Sequence, residues 1–300
     1  MAMDRQNGNL TETMKSMHYL NRRRFLQTGL LGSTALAAAL PQTAPGATTK
    51  PDRDPFDGLK LGMASYTLRN FSLDEAIAMT KQAGLKYINL KDIHLPRNSS
   101  PVERQEARRK VEAAGLTLMG GGVIYIPNKE EEVRSAFEYA KDAGMPTIVC
   151  SPEPEVLDTV EKMAQEYKIR IAIHNHGPGD KKYPSPLDAL RLVQHRDPLM
   201  GLCMDVGHTV RNGEDPVAAI RKCSHRLYDM HIKDVTRAAG NGAATEVGKG
   251  VVDIVGIFKT LAKMKFPYHI GLEYEANGKA PMPGIVESVA YMRGVLAAIG

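Results

Sequence analysis

Cysteine is scarce in this 300-residue chain, which has only Cys150, Cys203 and Cys223. The number is odd and two of the three sit in apolar runs, so the chain carries neither a disulfide framework nor a zinc-ribbon spacing. A membrane-spanning run is also missing: the apolar stretch from Phe25 to Leu40 falls short of the roughly 20 residues a spanning helix needs. No clustered basic face marks a nucleic-acid partner. Nor is there a glycine-rich phosphate turn after the first apolar run, where "SYTLRNFS" stands instead, which argues against a doubly wound dinucleotide-binding sheet.

What is present is an ordinary globular composition, 43% hydrophobic and 24% charged, enough for one large domain or two small ones. The net charge of +5 is concentrated at the start. Residues 1–47 hold Arg5, Lys15, Arg22, Arg23 and Arg24 against Asp4 and Glu12; without them 34 basic groups face 32 acidic ones, a net +2. Three arginines ahead of an apolar stretch and a small-residue region read as a signal peptide. The order Asn21-Arg22-Arg23-Arg24-Phe25-Leu26-Gln27 resembles a twin-arginine export signal. It predicts a signal over 1–47, a linker over 48–57, a single domain over 58–300 and a periplasmic address. Export of an already folded protein suits an enzyme that takes up a metal in the cytoplasm.

Beyond the linker, short apolar runs alternate with amphipathic stretches, which predicts βα units and a parallel sheet. Strands are expected at "LKLGMASYTL", "LKYINLKDIHL", "LTLMGGGVIYI", "PTIVCS", "IRIAIHN", "MGLCMDVGH", "LYDMHIKD" and "HIGLEYE". Helices fall between them, with Ser72 and Ser100 as N-caps and Gly84, Gly115 and Gly144 closing helix ends. Eight such units match an α/β fold, a (β/α)8 TIM barrel.

Alternation along each strand sorts residues between the helix side and the barrel axis. Ala172, His174 and His176 share the inward phase, as do Cys203, Asp205 and Gly207. Asp229, His231 and Lys233 follow the same rule, and so do His269, Gly271, Glu273 and Glu275. Four successive strands therefore carry ionisable groups to their C-terminal ends, where barrel enzymes keep their chemistry. His174, Asp205, His231 and Glu273 form a mixed nitrogen and oxygen set suited to Mn²⁺, Co²⁺, Zn²⁺ or Mg²⁺. His208 is placed to turn over the site, and Lys233 to polarise a substrate oxygen. Lys91 is inward in the second strand and His94 follows at the rim, both as substrate contacts.

Together "LGMASYTLR", "NLKDIHLP", "CMDVGH", "HIKD", "VGKGVVD" and "GLEYE" resemble the xylose isomerase-like TIM barrels, the sugar phosphate isomerase/epimerase and AP endonuclease family 2 group. The resemblance spans about residues 59–299. It implies one divalent cation, with Asp205, His231 and Glu273 matching the family's Asp, His and final Glu. Many members have a metal-binding Glu where this chain has His174. In epimerases of the family that Glu pairs with the last Glu as two opposed bases. His174 is therefore open as ligand or base, with His176 beside it. Family members are often dimers or tetramers, so the resemblance implies a homo-oligomer, although no exposed seam marks one.

The chemistry so implied is removal of a proton beside a carbonyl, with a cation stabilising the enediolate and a base among His174, His176, His208 and Glu273. Reprotonation makes an isomerase or epimerase, the first expectation. Expulsion of a β-substituent makes a lyase or dehydratase, the alternative. The export signal, and the lack of an arginine cluster for phosphate, favour an unphosphorylated sugar, keto sugar or glycoside as small-molecule partner. An AP endonuclease and a catalytically silent sugar-binding protein are the remaining alternatives.

Overall fold

The computed structural model describes residues 56–299. Its chain runs through β1 (Lys60–Ala64), β2 (Tyr87–Leu90), β3 (Thr117–Ile126), β4 (Thr147–Pro152), β5 (Arg170–His174), β6 (Met200–Asp205) and β7 (Leu227–Ile232). The short strands β8 (Asp234–Val235) and β9 (Ala244–Thr245) precede β10 (His269–Leu272). Strands β1 to β7 and β10 close into a parallel barrel in the order β1-β10-β7-β6-β5-β4-β3-β2. β8 and β9 form a separate antiparallel ladder, which the alternation of βα units does not announce. The proposed signal, and all of the linker but residues 56 and 57, lie outside the described residues. Phe56 is buried in the barrel's core, so the packed domain reaches back beyond the expected boundary at residue 58.

Around the barrel lie α1 (Leu73–Gln82), α2 (Pro101–Ala113), α3 (Glu130–Ala143), α4 (Leu157–Tyr167), α5 (Pro186–Val193), α6 (Val206–Arg211), α7 (Pro216–Cys223), α8 (Ile254–Met264) and α9 (Met282–Ile299). Ser72 and Ser100 cap α1 and α2 through reciprocal capping boxes with Glu75 and Glu103, so two of the first-turn N–H groups at each helix start find partners. Gly84, Gly115 and Gly144 follow α1, α2 and α3 with positive φ, the left-handed conformation that ends a helix at little steric cost. Helix α9 has the length and mean hydropathy of a membrane span, but Ile285, Val289, Met292 and Leu296 are buried in the core, which accounts for its apolar face.

In β5 and β6 the two phases of the strand enter different cores. Ile171, Ile173, Leu202 and Met204 belong to the large cluster, whereas Val149, Ala172 and Cys203 belong to a small one. Several strands are shorter than the alternation suggests. The first ends at Ala64 and passes into a 3₁₀ turn, Ser65–Leu68. The sixth ends at Asp205, whose Oδ1 accepts the His208 N–H at 2.8 Å and so starts α6. A side-chain cap there outcompetes further strand pairing, and it puts the carboxylate at the barrel mouth.

Candidate active site

His174 and Asp205 are the last residues of β5 and β6, His231 lies in β7 opposite Asp205, and Glu273 directly follows β10. Their donor atoms lie within 4.8 Å of one another, and all four residues are buried. His174 Nε2 is 3.0 Å from His231 Nδ1 and 3.8 Å from Asp205 Oδ2, and His231 Nδ1 is 3.4 Å from Glu273 Oε2. Two ligands each about 2.1 Å from one ion stand about 3.0 Å apart at a right angle and about 3.4 Å at the tetrahedral angle. Asp205 is 0% exposed, and its Oδ2 has no aligned hydrogen bond. Its one close cation is the Lys233 ammonium at 3.1 Å, which leaves a lone pair of this buried oxygen free for an ion beside the two imidazoles. The residues therefore fit a divalent ion.

The electrostatics agree with the donor set. Burial, reinforced by His231 and His176, holds His174 well below the usual imidazole range, so it is a neutral ring with a lone pair to give. Burial works most strongly against charge on His231, but Glu273, Asp229 and Asp205 together outweigh it and raise that imidazole. Burial alone would raise Glu273; the Lys233 ammonium and His231 reverse this and hold the carboxyl well below its ordinary value. Lys233 is the hub. Its Nζ lies 3.1 Å from Asp205 Oδ2, 2.8 Å from Glu273 Oε2 and 2.7 Å from Glu275 Oε1. Although burial opposes it, these three carboxylates keep the ammonium charged far above its normal pKa, so Lys233 is a fixed cation and not a base.

A cavity of about 360 Å³ opens over this cluster, walled by Tyr66, Lys91, Tyr125, His176, His208 and Glu275. His208 Nε2 is 3.4 Å from Lys233 Nζ and 3.9 Å from Asp205 Oδ2. Burial lowers the pKa of both His208 and His176, so both are neutral at neutral pH. Lys91 faces the cavity, but its Nζ donates to the Val123 carbonyl at 2.7 Å. A larger groove of about 580 Å³ lies between α2 and the segment that leads into it from β2. It brings no converging set of donors together, and its Glu103 is spent on the α2 cap.

The structure thus gathers His174, His176, Asp205, His208, His231, Lys233, Glu273 and Lys91 around one space. It does not bring His94 there. That ring is buried, with Nε2 3.1 Å from the Leu68 carbonyl and Nδ1 2.9 Å from Ser65 Oγ. A carbonyl needs a donor, so Nε2 carries the proton and Nδ1 accepts from Ser65. His94 ties the turn after β1 to the turn after β2, and the reading of it as a substrate contact is corrected.

Three participants escape the strand alternation. Asn175 falls in the outward phase, yet its side chain brackets the end of β6: Oδ1 accepts the Asp205 N–H at 2.9 Å and Nδ2 donates to the Asp205 carbonyl at 3.3 Å. In "HNH" the two histidines face the site and the asparagine between them pins the neighbouring ligand strand. Asp180 sits in a loop with no period to read, 3.1 Å from His176 Nδ1. Tyr125, whose hydroxyl is 3.1 Å from His176 Nε2, reads as one more strand aromatic, and only its 60% exposure at the cavity wall sets it apart. Glu275 was legible, since it shares the phase of Glu273.

Comparison with known proteins adds to this geometry. Inosose dehydratase from Clostridium tetani is 28% identical over 137 residues, 40% of this chain and 45% of that protein. Inosose dehydratase from Bacillus cereus is 26% identical over 179 residues, 53% of this chain and 59% of the relative. The chain thus spans about half the length of the curated relatives it matches. Among solved structures, 3-keto-D-glucoside 4-epimerase from E. coli superposes with a TM-score of 0.64 at 15% identity, over 79% of this chain and 99% of that one. L-ribulose 3-epimerase does so with a TM-score of 0.66 at 14% identity, over 80% and 95%. At such identities the likeness is one of fold. The family model described as xylose isomerase-like TIM barrel matches residues 77–295, most of the barrel and all four buried donors, and the chain belongs to that family.

Proposed function

We propose that the protein is a divalent-metal-dependent enzyme that removes a proton beside the carbonyl of an unphosphorylated keto sugar or keto-glycoside and eliminates a β-oxygen substituent. The carrying observation is the convergence of His174, Asp205, His231 and Glu273 within 4.8 Å, with a fixed ammonium and neutral imidazoles around one cavity. These four would hold the ion, which supplies Lewis-acid polarisation of a substrate oxygen. Lys233 places a permanent positive charge where an oxygen gains negative charge. His208 is the base: it is neutral and lines the cavity, and a substrate oxygen reaching Lys233 takes the place of its long 3.4 Å contact. On one face of the sugar, His208 takes the carbon-bound proton and returns it to the departing oxygen.

Elimination is favoured over two-base epimerisation because the site is lopsided. Glu273 is held by Lys233 and His231, and the position facing it carries the His174 ring, turned into the donor cluster. Similarity to inosose dehydratases supports the same choice. Isomerisation is the second reading, since one base suffices to move a proton between adjacent carbons. The Lys91 ammonium is spent on the Val123 carbonyl and the Lys233 charge is already outweighed by three carboxylates, so no surplus of positive charge awaits a phosphate, which supports a substrate without one. The twin-arginine-like segment extends the proposal to work outside the cytoplasm.

The test is proton NMR in D₂O on protein loaded with Mn²⁺ or Co²⁺ and then exchanged into Zn²⁺, with free and glycosidic keto sugars. The expected product is an unsaturated sugar with release of water or alcohol. Deuterium beside the carbonyl of a rearranged saturated sugar would instead establish the isomerase. No exchange with any of them would defeat both.

A further inference from the structure

The loop after β5 builds a feature that the proposed reaction does not use. Residues 176–183 close on themselves: the His176 N–H donates to the Tyr183 carbonyl at 3.0 Å. Asp180 Oδ1 accepts the N–H groups of Lys182 at 2.7 Å and Tyr183 at 3.1 Å. The buried Tyr183 hydroxyl anchors the loop to the Pro152 carbonyl at 2.9 Å. Asp180 Oδ2 is thereby set 3.1 Å from His176 Nδ1. On the other side of the ring, Nε2 is 3.1 Å from the Tyr125 hydroxyl, and the Tyr125 and His176 rings stack with centroids 5.7 Å apart.

These contacts have a direction. Asp180 Oδ2 approaches Nδ1 at 3.1 Å without hydrogen-bond alignment, and its negative charge there still favours the tautomer whose positive N–H lies on that side of the ring, so the neutral imidazole carries its proton on Nδ1. Nε2 is then an acceptor. The Tyr125 O–H donates to it, leaving the phenol with only lone pairs to offer the cavity. We propose that Tyr125 is a specificity residue that accepts a hydrogen bond from a substrate hydroxyl, so that this end of the cavity takes an O–H and rejects a carbonyl, ether or deoxy position. The proposal rests on the reading of the cavity as a sugar site. It assigns the carbonyl of a keto sugar to the part of the cavity beside Lys233.

Two measurements test it. The first needs no ligand: long-range ¹H–¹⁵N correlation on histidine-labelled protein at pH 8, with and without Zn²⁺. The expected His176 signal is the Nδ1–H tautomer, shifting toward Nε2–H in Asp180→Asn; an Nε2–H tautomer in the wild type overturns the proposal. The second is calorimetric binding of methyl α-D-glucoside and its 2-, 3-, 4- and 6-deoxy and deoxyfluoro analogues to Zn²⁺-loaded protein. One deoxy analogue should bind about tenfold more weakly than the parent, the scale of one hydrogen bond. Its fluoro counterpart, which accepts but does not donate, should be rejected equally. Tyr125→Phe should erase that one penalty and leave the others. A fluoro analogue that binds like the parent, or penalties unchanged in Tyr125→Phe, overturns the inference alone. Binding of none of these sugars defeats the sugar-site reading and the inference with it.

Discussion

The division of labour among the four histidines at the cavity decides how the site works. His174 and His231 turn nitrogens toward Asp205 and Glu273, whereas His208 meets the cavity from the first turn of α6. His174→Ala should therefore weaken metal binding by about 100-fold or more, while His208→Ala should keep metal affinity and lower kcat by about 100-fold or more, the range for loss of a general base. Equal loss of metal in both variants would contradict the assignment. A proton bears on the same site. Against burial, the strongest single effect, Glu273 with Asp229 and Asp205 holds His231 above the usual imidazole range. That contribution to folding is fully present below the ordinary imidazole pKa and is lost as pH rises through the raised value. A metal must displace the same proton, so affinity for Zn²⁺ should fall as pH drops below the raised pKa, with net proton release on binding. Calorimetry in two buffers of different ionisation heat reads this directly, and affinity flat from pH 6 to 8 would contradict it. At this scale the strand residues were legible because a period of two assigns a face to each. Asp180 lies in a loop without a period, and Asn175 acts from the outward phase through its neighbour's backbone, so neither was.

Loops at the barrel mouth are positioned by single side chains. The buried Asp234 accepts four backbone N–H groups: Val235 at 2.8 Å, Gly248 at 2.9 Å, Gly250 at 3.0 Å and Val252 at 3.1 Å. It therefore organises the "VGKGVVD" segment between β9 and α8. Asp234→Ala leaves those donors without their charged acceptor and should cost about 3 kcal/mol or more, read as a lower denaturation midpoint. Asp234→Asn, which keeps one acceptor oxygen, should lose less. Gly207 in α6 offers a subtler test, because a Cβ there would sit 2.8 Å from Lys233 Cγ. The clash falls on the near part of a buried side chain, its Cβ included at 3.0 Å, so Gly207→Ala should lower the thermal midpoint and displace the ammonium, lowering kcat as well. Strand existence was plain from the alternation of apolar runs, but strand ends were not. Asp205 stops β6 with a side-chain cap, and the alternation of polar and apolar residues runs on through Ser65–Leu68 while the backbone turns to 3₁₀. Hydrophobicity does not report that change.

For the whole molecule, barrel closure is what converts four separate strand ends into one site. β10 pairs with both β1 and β7, and β5, β6 and β7 are successive neighbours, so donors far apart in sequence meet at a common mouth. The eightfold βα pattern made this architecture readable, and the inward phase then named the donors. The β8–β9 ladder was not readable because its strands are two residues long. The barrel has its own extensive core within residues 56–299. A chain beginning at Lys50 should unfold within about 2 °C of the full-length protein, no more than the shift that about 1 kcal/mol produces in a domain this size. The central claim is that this mouth binds one catalytic cation through His174, Asp205, His231 and Glu273. A titration with Co²⁺ followed by visible absorption tests it most directly. The account predicts saturation at one equivalent in the wild type and loss of that saturable signal in Asp205→Asn. No saturable signal in the wild type, or an unchanged one in the variant, would contradict it.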